Sequence, residues 1–325
     1  MRYIIYGAGA IGGSIGARLS LNGQEVILIA RGAHFDAISN EGLRYRHPEM
    51  DGRLQIRAVD HPRHIHFQEQ DVVFLTMKSQ HTYQALVDLA ACAPPGIPVV
   101  CCQNGVANES MAIRRFRNVY GMVVFLPATH LVAGEVLHFS TTPGGVLDAG
   151  RFPTGIDQTI TTITHDLSSA GFLADPDERA MRFKYAKLLG NLGNAVQALA
   201  ASGSETRDIM ALLRKEALAC FDAAGIDCAG RDETRERNSR VTMSNIEGVQ
   251  RSGGSSWQSL ARGTGDIESD YLNGEICYLG RLYGVLTPAN EALCALANEA
   301  VRNREKPGAL TADDIRQAIE SVSAT

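Results

Sequence analysis

Short apolar runs alternate with helical patterns through the first part of the chain. Strands are predicted at Arg2–Tyr6, Glu25–Ala30, Asp71–Met77, Pro98–Cys102 and Val119–Leu126. Between them, Ile11–Leu21 carries apolar residues at helical spacing, and His81–Ala91 also has the character of a helix. Strands that alternate with helices in this way predict a parallel sheet covered by helices on both faces.

The pattern changes after Val132. Val136–Ser140 and Gly145–Asp148 are typical of short strands, and Asp157–Ala170 is typical of a helix. The polar segment Asp175–Glu178 contains Pro176 and marks a predicted domain boundary. Beyond it, helices are predicted at Met181–Ala201, Ser204–Ala224, Ser256–Leu282 and Pro288–Arg304, with the charged stretch Arg231–Arg240 exposed. We therefore expect an α/β domain over residues 1–176 and an all-helical domain over residues 177–325.

Composition limits the class of protein. The 325 residues suffice for two domains, and 45% apolar with 21% charged residues is typical of a globular protein. A net charge of −5 gives no reason to expect nucleic acid or an acidic membrane surface as a partner. The N-terminus lacks a signal-peptide pattern, no apolar run approaches the roughly 20 residues of a membrane span, and the seven cysteines are scattered. A cytoplasmic protein is expected.

A glycine-rich turn follows the first predicted strand. The sequence Gly7-Ala8-Gly9-Ala10-Ile11-Gly12 fits G-x-G-x-x-G, and a helical pattern begins inside it. The first glycine permits a tight turn, the second allows the backbone to approach a pyrophosphate, and the third lets the helix pack against the strand. With the helix N-terminus facing the phosphates, this predicts a Rossmann-type dinucleotide-binding domain.

The end of the second predicted strand distinguishes the two nicotinamide cofactors. Sites for NAD usually carry an acidic residue there, which binds the ribose hydroxyls. Here the strand ends Ile29-Ala30-Arg31, and the arginine can form a bidentate pair with a 2′-phosphate. The sequence thus favours NADPH, and a solvated surface arginine is the alternative.

Two polar residues follow later strands of the predicted sheet, at the edge where ligands bind in such folds. Lys78 follows Asp71–Met77, and Asn104 follows Pro98–Cys102 within Gln103-Asn104-Gly105. A lysine can pair with a carboxylate or with the cofactor, and an asparagine can bind the nicotinamide ribose or the substrate. For Asn104 an ordinary turn is the alternative.

Polar residues also share one face of a predicted helix in the second half. Lys184, Lys187, Asn191 and Asn194 are spaced by three, four and three residues. They line a ligand cleft or form a solvated helix face, and spacing alone does not decide between the two. Farther along, Ser255 or Ser256 is a natural N-cap, and Glu268 is predicted three turns into that helix.

The motifs occur together in one chain: Gly7-x-Gly9-x-x-Gly12, Arg31, Lys78, Gln103-Asn104-Gly105, Lys187-x-x-x-Asn191, Ser255-Ser256 and Glu268-x-Asp270-Tyr271-x-Asn273-Gly274. In this combination the chain resembles the ketopantoate reductase (2-dehydropantoate 2-reductase) family over nearly its whole length. The resemblance implies reduction of 2-dehydropantoate to pantoate with NADPH, in the route to pantothenate and coenzyme A.

The resemblance also implies roles for individual residues. Lys187 would be the general acid, and Glu268 would orient the substrate hydroxyl or Lys187. Substrate contacts would come from Asn104, Asn191, Asn194 and Ser256. The cofactor would be held by Gly7, Gly9, Ala10, Ile11, Gly12, Arg31, Lys78 and Asn104.

One departure from the family pattern bears on the substrate. The family helix often carries a second asparagine four residues after the first, where this chain has Ala195 and places Asn194 one residue earlier. A shift of one residue turns the side chain by about 100° around a helix. Whether Asn194 replaces the missing asparagine is left open, and so is the identity of the 2-keto acid.

Two alternatives to ketopantoate reduction stand beside it. One is a paralogous NADP-dependent dehydrogenase of another 2-hydroxy acid or of an opine-like substrate, and the other is a non-catalytic NADPH-binding sensor. No metal site is expected, because the histidines, including His61, His64 and His66, lack partners at ligand spacing. The sequence neither requires nor excludes a homodimer.

Overall fold

The computed structural model describes residues 1–249, 253–263 and 267–324. These residues divide into two compact units. The first unit comprises Met1–Lys184 and Gly230–Arg251, and the second comprises Tyr185–Ala229 and Ser252–Thr325. The first contains all the strands and the second is built from helices, as the sequence predicts for an α/β part followed by a helical part.

The strands are numbered in chain order. They are β1 Arg2–Tyr6, β2 Glu25–Ile29, β3 Leu43–His47, β4 Met50–Leu54, β5 Arg57–Val59, β6 Asp71–Leu75, β7 Pro98–Cys101, β8 Asn118–Met122, β9 Ala128–Thr129, β10 Glu135–His138 and β11 Ala149–Arg151.

The helices are numbered in the same way. They are α1 Ala10–Leu21, α2 Gly32–Glu41, α3 Thr82–Ala90, α4 Asn108–Ala112, α5 Gln158–Ser169, α6 Ala180–Asn191, α7 Gly193–Leu199, α8 Arg207–Ala223, α9 Arg231–Ser239, α10 Ser255–Arg262, α11 Asn273–Tyr283, α12 Pro288–Arg302 and α13 Ala312–Ser323.

A seven-stranded sheet in the order β11-β8-β7-β6-β1-β2-β5 forms the centre of the first unit. Every neighbouring pair is parallel except β11 with β8. Because β1 lies between β2 and β6, chain order reverses beside β1, and ligands of open α/β sheets bind beyond the strand ends at such a point. The predicted Rossmann-type α/β class is confirmed.

The central strands alternate between two apolar cores. Tyr3 and Ile5 of β1 pack into the cluster on one face of the sheet, whereas Ile4 and Tyr6 pack into the cluster on the other. Side chains of a strand point alternately to opposite faces, so a strand covered on both faces must be apolar throughout. This explains why these strands are unbroken apolar runs in the sequence.

A smaller sheet in the order β4-β3-β10-β9 belongs to the same unit and contacts α1. Its strands β3 and β4 were not predicted, because polar and charged residues interrupt them. The predicted strand Gly145–Asp148 was wrong. Val146 makes only isolated bridges, and the regular strand β11 begins at Ala149.

Residues 230–251 return to the first unit after the chain has passed through α8 of the second. The guanidinium of Arg237 in α9 binds Asp148 at 2.5 Å, and Ile246 packs with Leu137 and Phe139. The predicted domain limits, 1–176 and 177–325, therefore differ from the compact units. The division into one domain over residues 1–176 and another over residues 177–325 stays a prediction.

Two predictions for the second unit need correction. Met181–Ala201 forms two helices that meet at Leu192. Ser256–Leu282 is not one helix, since α10 ends at Arg262, the left-handed Gly263 (φ +61°) forms its C-cap, and α11 begins at Asn273. None of the described helices is long and apolar enough to cross a bilayer.

Candidate active site

The glycine-rich turn joins β1 to α1. The N–H groups of Gly7 and Ala8 both donate to the carbonyl oxygen of Ile29, at 3.0 and 3.1 Å. Gly7 has φ +109°, and a Cβ there would lie 2.8 Å from the backbone nitrogen of Met77. Only glycine meets both demands, because this backbone region is strained for other residues.

The turn is open on the side where a phosphate would bind. A Cβ on Gly9 would have only the His130 ring nearby, at 4.0 Å among the described atoms, whereas one on Gly12 would collide with the backbone oxygen at the start of the turn. The N–H groups of Ala10 and Ile11 lie in the first helical turn, where no acceptor exists within the helix. Open space beside unpaired donors and the positive end of a helix fits a pyrophosphate.

A histidine that the sequence analysis missed supports this turn. His34 Nε2 lies 2.7 Å from the carbonyl oxygen of Ala8, and Nδ1 accepts the N–H of Gly134 at 2.8 Å. The second bond requires a bare Nδ1, so the ring is neutral and Nε2–H donates to Ala8. Burial lowers the pKa of His34, which favours the same neutral form. A histidine three residues after Arg31 gave no signal without knowledge of this contact.

Arg31 lies at the carboxyl end of β2. It is exposed, has extended backbone (φ −131°, ψ 154°) and forms the N-cap of α2. The residues before it are Ile29 and Ala30, which are both buried and apolar, so the end of this strand offers no carboxylate. The guanidinium is accessible from solvent at the position where the sequence predicts a 2′-phosphate.

Lys78 and Asn104 follow the ends of β6 and β7, which are adjacent in the sheet. Lys78 is half-buried and precedes a short 3₁₀ turn, Ser79–His81. Asn104 is half-buried and precedes Gly105, which has φ +77°. The structure therefore brings both predicted residues to the same edge of the sheet as the glycine-rich turn.

A buried polar network ties these two loops together. Gln103 Nε2 donates to the carbonyl oxygen of Met77 at 2.8 Å and to Thr82 Oγ1 at 2.7 Å. Asn108 accepts from Thr82 at 2.8 Å and donates to Ser79 Oγ at 3.1 Å. These mutual hydrogen bonds hold the two loops in one arrangement, although Oε1 of Gln103 is buried without a hydrogen-bond partner among the described residues. Thr82, Asn108 and Ser79 were missed by the sequence analysis, since nothing in their spacing connects them.

Lys184 is a buried ion-pair partner. Its Nζ lies 2.6 Å from Glu109 Oε1 and donates to the carbonyl oxygens of Gln103, Cys101 and Met122 at 3.0, 3.3 and 3.4 Å. These carbonyls end β7 and β8 or precede Asn104. The side chains of Lys184 and Glu109 are 2% and 0% exposed, so a solvated helix face is wrong for this lysine.

The second unit holds the other polar residues of that helix. Lys187 and Asn194 are half-buried, while Asn191 is only 9% exposed. The amide nitrogen Nδ2 of Asn191 is buried without a hydrogen-bond partner among the described residues. A buried amide left unpaired costs free energy, so this atom points to a ligand that is absent from the free protein. Ala195 is buried at 2% exposure and carries no polar group.

Asn273, from the motif Glu268-x-Asp270-Tyr271-x-Asn273-Gly274, stabilises the fold of the second unit. Its Nδ2 donates to the carbonyl oxygen of Leu192, between α6 and α7, at 3.2 Å and to Asn290 Oδ1 at 3.1 Å. Asn290 in turn donates to Glu216 Oε2 at 2.7 Å, and all three side chains are buried. This network holds the junction of the helix that carries Lys187 and Asn191.

Glu268 and Ser256 are both buried in the second unit. Glu268 begins a short 3₁₀ turn, Glu268–Tyr271, instead of lying three turns along a helix. The predicted serine N-cap was also wrong, because α10 is capped by Gly254 without a side-chain hydrogen bond. The side chain of Ser255 lies outside the described part of the chain.

Comparisons with known proteins identify the family of this chain. Family models described as "Ketopantoate reductase PanE/ApbA" and its C-terminal part match residues 3–152 and 181–301. The chain belongs to the ketopantoate reductase family. The resemblance inferred from the motifs is thereby confirmed, and the protein is an oxidoreductase that uses a nicotinamide dinucleotide.

Individual relatives are distant but cover more than nine-tenths of this chain. A 2-dehydropantoate 2-reductase of Mesorhizobium japonicum is 28% identical over 94% of this chain and 99% of its own length. The crystal structure of a ketopantoate reductase from Ralstonia eutropha superposes with a TM-score of 0.78 at 27% identity, over 94% of this chain and 99% of the other. A D-mandelate dehydrogenase, solved with NADH, shares the fold at 22% identity with a TM-score of 0.76, over 97% and 100% of the two chains.

Proposed function

We propose that this chain reduces a branched 2-keto acid with NADPH, with 2-dehydropantoate as the first candidate and pantoate as its product. The observation that carries the proposal is the buried, unpaired amide of Asn191 one helical turn after Lys187. A keto acid supplies the acceptors that this amide lacks, and Lys187 supplies the proton its reduction needs. Relatives named 2-dehydropantoate 2-reductase support the substrate.

NADPH is proposed as the cofactor on two features of the first unit. The glycine-rich turn fits a pyrophosphate, with Gly7, Gly9 and Gly12 shaping it and the N–H groups of Ala10 and Ile11 facing the ligand. The exposed Arg31 supports a contact to the 2′-phosphate. Lys78 and Asn104, on adjacent loops, would hold the nicotinamide half.

The reaction requires that the negative charge developing on the carbonyl oxygen of the keto acid be stabilised. The bound nicotinamide supplies the hydride that reduces C2 of the keto acid. Lys187 then neutralises the developing alkoxide and gives its proton to that oxygen, which completes the hydroxyl. Glu268 orients the hydroxyl or the lysine, and Asn104, Asn191 and Ser256 hold the carboxylate and carbonyl groups.

The experiment is reduced-nicotinamide oxidation with purified protein and 2-dehydropantoate, beside the Lys187→Met variant. We expect turnover to fall by about 10²–10⁴-fold, the usual contribution of a general acid, while the Kd for NADPH is unchanged. Lys215→Met is the matched control, because Lys215 is an exposed lysine on another helix of the same unit. Ordinary turnover in Lys187→Met would exclude the assigned mechanism.

A paralogous dehydrogenase of another 2-hydroxy acid is the second candidate. It is favoured by the buried methyl group of Ala195, where the family often has a substrate amide, and by the half-buried Asn194 beside it. Activity on a different keto acid with none on 2-dehydropantoate would select this candidate. A protein that binds NADPH and reduces no member of a keto-acid panel would instead be a sensor.

A further inference from the structure

Gly190 is an exposed glycine in the last turn of α6, and no packing contact in the described part of the chain requires a glycine there. A Cβ built on Gly190 meets no described atom within 4 Å. Its φ is not in the positive range that favours glycine. Glycine in a helix is destabilising relative to alanine, because the unfolded chain has more freedom to lose, and Gly190 precedes the last residue of α6. Alanine should therefore stabilise this turn, since no described atom lies where its methyl group would be.

Two other glycines in the helices of the second unit have clear packing roles. A Cβ on Gly193 would lie 2.7 Å from the sulfur of Met210, and one on Gly280 would lie 2.6 Å from the carbonyl oxygen of Val285. On Gly274 a Cβ would fit, but it would make van der Waals contacts with its neighbours at 3.4–3.5 Å. Gly190 thus differs from the rest of this set in the described part of the unit.

Gly190 also lies on the helix face already assigned to the substrate. It is three residues after Lys187 in α6, and positions so spaced are neighbours on a helix surface, whereas Asn194 lies beyond the break at Leu192, in α7. Asn191, with its buried unpaired amide, follows directly. The missing side chain therefore leaves space beside Lys187, the proposed acid, and next to Asn191, whose amide nitrogen has no hydrogen-bond partner among the described residues.

We propose that Gly190 is a specificity-determining residue, whose missing side chain leaves room for the bulky substituent on C3 of the keto acid. The inference rests on the proposed function and narrows it. The substrate class it predicts is 2-keto acids that are quaternary, branched or aromatic at C3, in preference to pyruvate or glyoxylate. A methyl group placed at Gly190 would occupy the volume of part of that substituent.

Stability and activity are expected to move in opposite directions in Gly190→Ala. Since no described atom contacts the added methyl, the variant should melt about 1–3 °C higher than the wild type. At the same time kcat/KM for 2-dehydropantoate and for phenylglyoxylate should fall about 10–200-fold, the effect of one misplaced methyl group in a pocket. Gly190→Leu should deepen the loss, while pyruvate and glyoxylate are affected much less.

Gly96→Ala is the matched control. Gly96 is an exposed turn glycine of the first unit, its φ is also not in the positive range, and a Cβ there likewise meets no described atom within 4 Å. That variant should leave the ratio of bulky to small keto acids unchanged. An unchanged ratio in Gly190→Ala and Gly190→Leu, with an active wild type, overturns the role of Gly190 and leaves the proposed function standing. So does a lower melting temperature in Gly190→Ala with no change in that ratio.

Failure of the proposed function has a different signature. In that case the wild type reduces no keto acid of the panel, and none of them raises its melting temperature in the presence of NADP⁺. Both proposals then fall together, whatever the variants do.

Discussion

At the scale of single residues, Arg31 makes the cofactor preference testable. A guanidinium that binds a phosphate forms charge-assisted hydrogen bonds worth about 1.5–3 kcal/mol. We expect Arg31→Ala to lower kcat/KM for NADPH by roughly 10–150-fold while that for NADH changes little, since exposed Arg31 packs no core. Steady-state kinetics with both cofactors measure this. An unchanged preference would show that another residue reads the 2′-phosphate.

The roles of residues that depend on local backbone geometry could be predicted from the sequence. Gly7 and Gly12 stand in a spacing whose physical demands are local, and the structure meets them with a positive φ and close packing. Lys184 was not accessible, because its partner Glu109 is 75 residues away in the chain and only the fold joins them. Helical spacing grouped Lys184 with Lys187, although Lys184 contacts carbonyl groups at or just after the ends of strands.

At the scale of elements, the Lys184–Glu109 pair links the ends of β7 and β8 to α4. Removing one partner leaves a charge buried, so Lys184→Met should lower the free energy of unfolding by about 3–5 kcal/mol. The double variant Lys184→Met/Glu109→Leu should recover much of that loss, because no uncompensated charge remains. Urea unfolding measures both.

The control for that cycle is Arg182→Met on the same helix. Arg182 pairs with Glu233 at 2.7 Å, but the Arg182 side chain is 15% exposed and that of Glu233 is 49% exposed. Because one partner of this pair is open to solvent, the control should lose only about 1 kcal/mol, well below the loss from Lys184→Met. If the losses from Lys184→Met and Glu109→Leu simply add in the double variant, the two side chains are not energetically coupled.

Elements themselves were predictable to the extent that one pattern dominates. The buried strands of the large sheet are continuous apolar runs, and β1 was predicted with its observed ends. The long helix predicted over Ser256–Leu282 failed because it was extended across Arg262-Gly263-Thr264-Gly265-Asp266, although glycine at 263 permits the left-handed backbone that ends α10. The short edge strand β11 is too small for its period to stand out from its neighbours.

At the scale of the molecule, the order of an α/β part and a helical part follows from the change of period along the sequence. The return of residues 230–251 to the first unit does not. It rests on long-range contacts such as that between Arg237 and Asp148, which leave no periodic trace. The same division distributes the titratable groups unequally, since all nine histidines fall within residues 1–184.

The first unit should therefore lose stability in mild acid before the second does. Burial lowers the pKa of His138 to about 3, with the charge of Arg18 adding to the effect, and burial also lowers the pKa of His34 and His47. These rings stay neutral in the folded chain, whereas unfolded histidines gain a proton below about pH 6.5. Stability is thus complete above that pH and falls toward the lowered pKa, by up to ~1.4 kcal/mol per pH unit for each ring.

The second unit contains no histidine, and its Asp208 has a pKa of about 2 because Arg316 binds it. A carboxylate with a lowered pKa contributes stability that is lost only as the pH falls below about 4, so this unit should hold steady between pH 7 and 5. The single tryptophan, Trp257, reports the second unit by fluorescence, and hydrogen exchange in β1 and β10 reports the first. Between those pH values the protection factors of the strand amides, which correct for the slower intrinsic exchange in acid, should fall while the urea midpoint of Trp257 stays fixed. His138→Gln should reduce the pH dependence of that exchange, and an equal loss in both units would contradict the assignment to buried histidines.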